Sequence, residues 1–191
     1  VLNTAWNIYN FRLALIKALL VKGHQVVAIA PYDDYVPYIV ETGCKYLPIK
    51  CLSRKGVNPI RDLRLIHELY KIYKKENFDL VLQYTIKPNI YGCFAARLAK
   101  VKTISTITGL GYTFLSEGIV NKIAKILYKS AFKSGTRFVF QNSDDKKLFE
   151  DLGICPINKT TLIKGSGIDT SFFKPLPKTQ ESQNLVFLFV G

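Results

Sequence analysis

The sequence predicts an α/β domain with a mostly parallel sheet and helices on both faces. Three observations carry that prediction. Short runs rich in valine and isoleucine alternate with longer stretches whose apolar residues recur at helical spacing. The connections are short, and glycine follows several of the helical stretches. The chain has 191 residues, 48% of them hydrophobic, which suits a packed core and not a disordered polymer.

Val1–Thr4 reads as the tail of a strand, and "AWNIYN" as a strand-to-helix loop. A helix is expected over 8–22, stopped by Gly23. Residues 24–31, "HQVVAIAP", form a buried strand. A short helix over 33–42 ends at Gly43, and a strand follows at 45–49. Residues 50–59 are a polar loop with glycine and proline. The helix over 60–76 sets Leu63, Ile66, Tyr70 and Tyr73 on one face. A strand over 78–84 leads to a helix that starts near Pro88 and runs to Ala99. The strand at 101–106 precedes a loop over 108–116. A helix over 117–134 ends at Gly135. After the strand at 137–140, Ser143 is expected to cap a helix reaching Leu152. The last strand, 160–163, leads into "KGSGID".

This βαβα order places ligands beyond the carboxyl ends of the strands. Residues 1–172 are expected to form one domain. Residues 173–184, "FKPLPKTQESQN", read as an interdomain linker. The apolar run 185–191, "LVFLFVG", reads as the first strand of a further domain.

The charge balance limits the partners. Lys plus Arg number 27 and Asp plus Glu 14, a formal net charge of +13. That favours an anionic partner: nucleic acid, a phospholipid surface or a phosphorylated substrate. No nucleic-acid module is recognisable, so nucleic acid is not expected. Four cysteines without a CxxC pair, and two histidines, argue against a bound metal and for a reducing compartment. No apolar run reaches the roughly 18 residues of a membrane span.

Four stretches fall where a ligand would bind. Trp6, Asn7, Tyr9 and Asn10, with Arg12 beyond them, lie at the first loop, whose backbone N–H groups could meet an anion. No glycine stands between Thr4 and Phe11, so the dinucleotide fingerprint is absent, and Trp6 and Tyr9 could equally pack over the sheet edge. Tyr84, Thr85, Lys87 and Asn89 lie at a strand's carboxyl end, where a phosphate or sugar hydroxyl could sit. Thr108, Gly109, Leu110, Gly111 and Tyr112 form a loop in which the glycines allow a sharp turn or a close approach to a ligand. Lys164, Gly165, Ser166 and Gly167 offer a phosphate contact or a hinge. Separately, Lys122, Lys125, Lys129 and Lys133 recur at helical spacing among Ile119, Ile123, Ile126, Leu127 and Ala131. That helix either buries its apolar residues or meets a membrane surface or an acidic partner. No complete catalytic set is visible.

The stretches "NIYNFRLALIKALLVKGHQVVAIAP", "YTIKPNIYG", "TGLGYTF", "FQNSDDKKLFEDLGI" and "KGSGIDTSFFKP" occur in an order that resembles the N-terminal half of bacterial GT-B glycosyltransferases of family 4. The sequence is similar in particular to enzymes that add an N-acetylhexosamine to a polyprenyl diphosphate-linked sugar. The resemblance implies a Rossmann-like three-layer domain on the acceptor side of an interdomain cleft. It implies a retaining enzyme with a UDP-sugar donor, a lipid-linked glycan acceptor and no tightly bound cofactor. It also implies a cytoplasmic protein held peripherally on the anionic inner face of the plasma membrane. Carried onto this chain, the first three site stretches line the acceptor side, and Lys164–Gly167 face the donor side. The four lysines face the membrane, and the catalytic residues belong to the second domain. Without a second domain, the chain alone would be inactive. The other expectation is a non-enzymatic Rossmann-like domain that binds a nucleotide or acidic lipid.

Overall fold

The computed structural model describes residues 1–53, 56, 58–110, 114, 118–175, 187 and 189. The elements run α1 (Ala5–Val21), β1 (Val27–Ala30), α2 (Val36–Val40), β2 (Lys45–Pro48), α3 (Pro59–Glu76) and β3 (Leu80–Tyr84). A π-helical turn, Pro88–Gly92, then enters α4 (Cys93–Ala99) and β4 (Lys102–Ile107). The chain continues through α5 (Ile119–Phe132), β5 (Arg137–Phe140), α6 (Ser143–Asp151), a short 3₁₀ turn and β6 (Thr160–Leu162). Almost all of the expected linker and following strand, 173–191, lies outside the described residues, as does Glu117, the expected start of α5.

Two helix starts differ from the sequence reading. α1 begins at Ala5, so "AWNIYN" is its first turns and not a loop. Thr4 sets that start, because its hydroxyl accepts the Asn7 N–H at 3.1 Å. α6 is capped by Asn142, whose side chain accepts the Asp145 N–H at 2.7 Å; Ser143 is the first helical residue.

All strand pairs are parallel. β1 pairs with β2, and β3 to β6 follow in sequence order. Val1 and Leu2 sit between the two sets. The Val1 nitrogen donates to Leu82 O at 2.7 Å, and the Val1 carbonyl accepts the Tyr84 N–H at 3.2 Å. Leu2 donates to Ile29 O at 3.1 Å. The spatial order is therefore β2, β1, Val1–Leu2, β3, β4, β5, β6. Beside Val1, a cavity of about 1000 Å³ separates β1 from β3 under the apolar face of α1.

Right-handed crossovers in this order send α1 and α2 to one face and the later helices to the other. The core is divided accordingly. α1 and α2 bury Ile8, Ile16, Val36 and Ile39 against Ala28, Ala30 and Tyr84. On the other face, α3 and α4 pack Leu65, Leu69 and Ala95 against Ile29 and Val81. Farther along, α5 and α6 build an aromatic cluster in which Phe132, Phe138, Phe140 and Phe149 are fully or nearly fully buried. Phe132 stacks on Phe138 with centroids 4.2 Å apart.

The buried stripe of α3 is shifted from its expected place. Leu63 is 67% exposed, while Asp62 is 5% exposed. Asp62 tolerates burial because both carboxylate oxygens are used. Lys87 Nζ lies 3.0 Å from one, and the Tyr91 hydroxyl donates to the other at 2.8 Å.

A buried polar network fixes β3 against α4. Gln83, with no exposed surface, accepts from Ser105 and Cys93 at 3.3 Å each and donates to the Tyr73 hydroxyl at 3.4 Å. Gly92 leaves room for that amide, since a Cβ there would come within 2.9 Å of Gln83 Cδ and closer still to Nε2. Gly92→Ala is expected to cost about 1–3 kcal/mol of stability by overpacking. Urea unfolding measures it, and the additional change Gln83→Ala should recover part of the Gly92→Ala loss.

Candidate functional site

The carboxyl ends of β3, β4, β5 and β6 share one edge, where the chain passes into 85–87, 108–110, 141–142 and 163–167. Most of the residues singled out in the sequence lie along that edge, but their environments differ sharply.

The N-terminus of α1 is closed to an anion by the chain itself. The Trp6 N–H is bonded to Asp33 Oδ2 at 2.9 Å, and the Asn7 N–H to Thr4. Asp33 also accepts the Tyr35 N–H at 3.0 Å, so its carboxylate ties the end of β1 to α2. Within the expected anion contact at Trp6–Asn10, the Trp6 N–H is thus already held by a carboxylate of the chain. Asn10 turns back onto the Trp6 carbonyl at 2.9 Å. The side chains of Trp6 and Phe11 remain 43% and 51% exposed, edge to face at 5.7 Å. Tyr9 packs against Tyr35 and Tyr38 at 5.3 and 5.5 Å.

At the exit of β3, Tyr84 is buried and Thr85 has φ of 67°. A β-branched residue rarely adopts that conformation, and such strain concentrates where function or packing demands it. Lys87 and Asn89 turn inward. Lys87 is neutralised by Asp62, and Asn89 is 1% exposed and donates to Thr106 O at 3.0 Å. Burial raises the Tyr128 phenol, and a hydrogen bond with Asn89 partly offsets that rise. Lys87 and Asn89 thus lock the β3–α4 corner in place, although the buried Asn89 Oδ1 has no hydrogen-bond partner.

Thr108 and Gly109 are exposed and Gly109 has φ of 146°, while Leu110 is buried. Gly111 and Tyr112 lie outside the described residues. Lys164, Ser166 and Gly167 are exposed, and Gly165 and Gly167 have φ of 77° and 76°. Gln141 donates to Ser166 Oγ at 2.9 Å, which holds this turn beside the end of β5.

The structure brings residues of three of the four predicted stretches, Arg12, Tyr84 and Gly165–Ser166, into one cavity of about 400 Å³. Its walls include Phe11, Arg12, Tyr84, Thr106, Gly165 and Ser166. Arg12 lies over the Tyr84 ring, 4.2 Å from its centroid. Burial lowers the Arg12 guanidinium and raises the Tyr84 phenol, and the pairing of the two opposes both shifts. Thr106, Asp33 and Asp62 were missed as parts of this architecture. Asp62 carried no signal, because a helical aspartate reads as solvated. Among the described residues no cluster of histidine, cysteine or carboxylate could hold a metal ion.

α5 answers a question that the sequence left open. Its inner face is Ala124, Tyr128, Ala131 and Phe132. Ile119, Val120, Ile123 and Ile126 are 75%, 52%, 45% and 67% exposed. Lys122, Lys129 and Lys133 are exposed beside them, and Lys125 is partly covered. The isoleucines therefore do not fill the core.

The profile of a family described as "Glycosyl transferase 4-like" matches residues 1–142. The chain belongs to the glycosyl transferase 4-like family. It is 31% identical over 184 residues to the N,N'-diacetylbacillosaminyl-diphospho-undecaprenol alpha-1,3-N-acetylgalactosaminyltransferase of Campylobacter jejuni, covering 94% of this chain and 48% of that protein. It is 30% identical over 147 residues to the UDP-Gal:alpha-D-GlcNAc-diphosphoundecaprenol alpha-1,3-galactosyltransferase of Escherichia coli, covering 76% of this chain and 36% of that one. The chain thus spans half or less of these curated relatives. Anabaena HepE, solved with UDP and glucose, superposes with a TM-score of 0.61 at 14% identity, over 86% of this chain and 43% of HepE. A glycosyltransferase from Rickettsia africae gives 0.60 at 22% identity, over 83% and 40%. The glycosyl transferase 4-like domain has the Rossmann-like α/β fold of a GT-B N-terminal domain, as the sequence resemblance implied. Among the described residues no helix is long and apolar enough to cross a membrane.

In this glycosyl transferase 4-like domain, the Asp62–Lys87 pair sets the shape of the β3 exit. Asp62→Ala would leave a largely covered ammonium and the Tyr91 hydroxyl without their acceptor. We expect a loss of about 3 kcal/mol, measured by denaturant unfolding. Lys87→Met with Asp62→Leu should lose much less than the single change.

Proposed function

We propose that this chain is the acceptor-side half of a retaining glycosyltransferase that moves an N-acetylhexosamine from a UDP-sugar to a lipid-linked glycan. The observation that carries this reading is the 31% identity over 94% of the chain to an N-acetylgalactosaminyltransferase whose acceptor is a diphospho-undecaprenol-linked sugar. The geometry supports it, because the predicted acceptor stretches converge at the carboxyl edge of a parallel sheet. In this reading residues 1–172 hold the acceptor, 173–184 link the domains, and 185–191 begin a domain that binds the nucleotide sugar.

The exposed rings of Trp6 and Phe11 offer flat apolar faces to sugar rings. Arg12, Thr85 and the Thr108–Leu110 turn define the floor against which the acceptor hydroxyl is aligned. Lys164–Gly167 close the side toward the donor. Holding both reactants in one closed cleft supplies orientation and excludes water. Positive groups and backbone donors stabilise the departing nucleoside diphosphate. Sugar transfer by the full-length protein, offered UDP-hexoses and UDP-N-acetylhexosamines with a polyprenyl diphosphate-linked sugar, tests the reading. Transfer of an N-acetylhexosamine supports it, and transfer of none of the sugars overturns it.

The outer face of α5 docks the domain on the anionic cytoplasmic leaflet, where such an acceptor resides. Exposed isoleucines between lysines suit shallow insertion combined with attraction to acidic headgroups. Changing Lys122, Lys125, Lys129 and Lys133 to Gln should weaken binding to anionic vesicles by roughly tenfold or more. Ile123→Ser with Ile126→Ser should also weaken it and leave the melting temperature nearly unchanged, because both side chains already face solvent. Co-sedimentation reads both effects, and unchanged binding in both variants would remove α5 from the membrane surface.

A further inference from the structure

Arg12 is a cation without a counter-ion. Its Nε is buried with no hydrogen-bond partner. Its Nη1 donates only to the neighbouring Phe11 carbonyl, at 3.1 Å. Among the described residues, no carboxylate lies within ion-pair distance of it. Lys87, a few residues from the Tyr84 ring that Arg12 covers, is paired with Asp62. Removing a guanidinium from water without a partner is costly, so an arginine in this state is poised for an anion.

The surroundings specify which anion. The cavity of about 400 Å³ that Arg12 borders is lined by no acidic side chain. Tyr84, Thr106 and Ser166 carry the hydroxyls of its wall, and Gly165 brings the turn after β6 to the same space without a side chain. Tyr84, Thr106 and the turn at 163–166 place it beside the carboxyl ends of β3, β4 and β6, the edge where ligands of parallel sheets bind. A planar guanidinium in a wall that also carries these hydroxyls and is otherwise apolar matches a phosphoryl group on an organic substrate, which it can hold by two parallel hydrogen bonds. The volume is that of a small-molecule pocket, larger than one phosphate needs.

We propose that Arg12 is the seat of a substrate diphosphate, which enters between α1 and the ends of β3 to β6 and supplies the missing counter-charge. The idea rests on the glycosyltransfer reading only for the source of that diphosphate, a prenyl diphosphate acceptor or a nucleoside diphosphate donor. The anion replaces none of the chain's own contacts, because the first-turn N–H groups of α1 stay with Thr4 and Asp33. The seat is therefore a side-chain site and not a helix N-terminus.

The test uses the 191-residue chain and calorimetric titration with pyrophosphate, farnesyl diphosphate and UDP. Saturable pyrophosphate binding is expected, weakened roughly 10- to 100-fold in Arg12→Gln and less in Arg12→Lys. Tighter binding of farnesyl diphosphate than of UDP assigns the seat to the acceptor, and the reverse assigns it to the donor. A second measurement needs no variant. Pyrophosphate should slow phenylglyoxal modification of Arg12 and leave that of exposed Arg61 unchanged, read by peptide mass. Absence of saturable binding to all three probes, or unaltered Arg12 modification, overturns the proposal. Arg12-dependent pyrophosphate binding in a protein that transfers no sugar would keep the seat and sink the glycosyltransfer reading. Sugar transfer with equal affinities in the wild type and Arg12→Gln would do the opposite.

Discussion

The sheet depends on the seam at Val1 and Leu2. Val1 and Leu2 are the only described residues whose backbone hydrogen bonds join β1 to β3. Because those bonds are parallel in register on both sides, all strands end on one edge. Every feature of the candidate site follows from that alignment. α1 crosses from the seam to β1 and lays Arg12 over Tyr84, while the turn after β6 reaches the same cavity from the far side of the sheet. An antiparallel strand anywhere in the set would have sent one of these groups to the opposite edge.

Two cations near that edge illustrate how burial separates architecture from chemistry. Lys87 looks like a ligand group by position, yet its ammonium is held by a buried carboxylate that also binds Tyr91. The charge is spent on fixing α3 to the β3–α4 corner. Arg12 has no such partner among the described residues. Asp33 makes the complementary point at the start of α1, where a protein carboxylate takes the place an anionic substrate would otherwise find. Selection among candidate groups is therefore a matter of which hydrogen-bonding capacity is left over, and only the folded geometry reveals it.

Much of the fold was legible because its signals are local. Gly23, Gly43 and Gly153 sit where helices end, each with positive φ, and the valine- and isoleucine-rich runs became strands in the expected order. Boundaries failed where a cap decided them. Thr4 moved the start of α1 back to Ala5 and so removed a loop on which one site reading depended. The α3 stripe failed because periodicity counts apolar residues, whereas Asp62 is buried by a pairing 25 residues away in sequence. That Arg12 and the Gly165–Ser166 turn line one cavity could not be read at all, since it joins the two ends of the domain across the sheet. On α5, spacing alone was silent on whether isoleucines or alanines faced inward. Volume settled it: the aromatic core accepts Ala124 and Ala131 beside Tyr128 and Phe132, and the isoleucines are left outside.

The proposed anionic bilayer and membrane-held diphosphate both lie toward one end of the domain, along α5 and the carboxyl edge of the sheet. Hydrogen exchange tests that placement most directly. The chain would be compared alone and with anionic vesicles carrying a prenyl diphosphate-linked sugar. Slowed exchange in 5–12, 106–110 and 119–126, with α3 unchanged, is the predicted result. Protection confined to α3, whose outer face carries Arg61, Arg64 and Lys71, would contradict it, as would exchange that vesicles leave unaltered throughout.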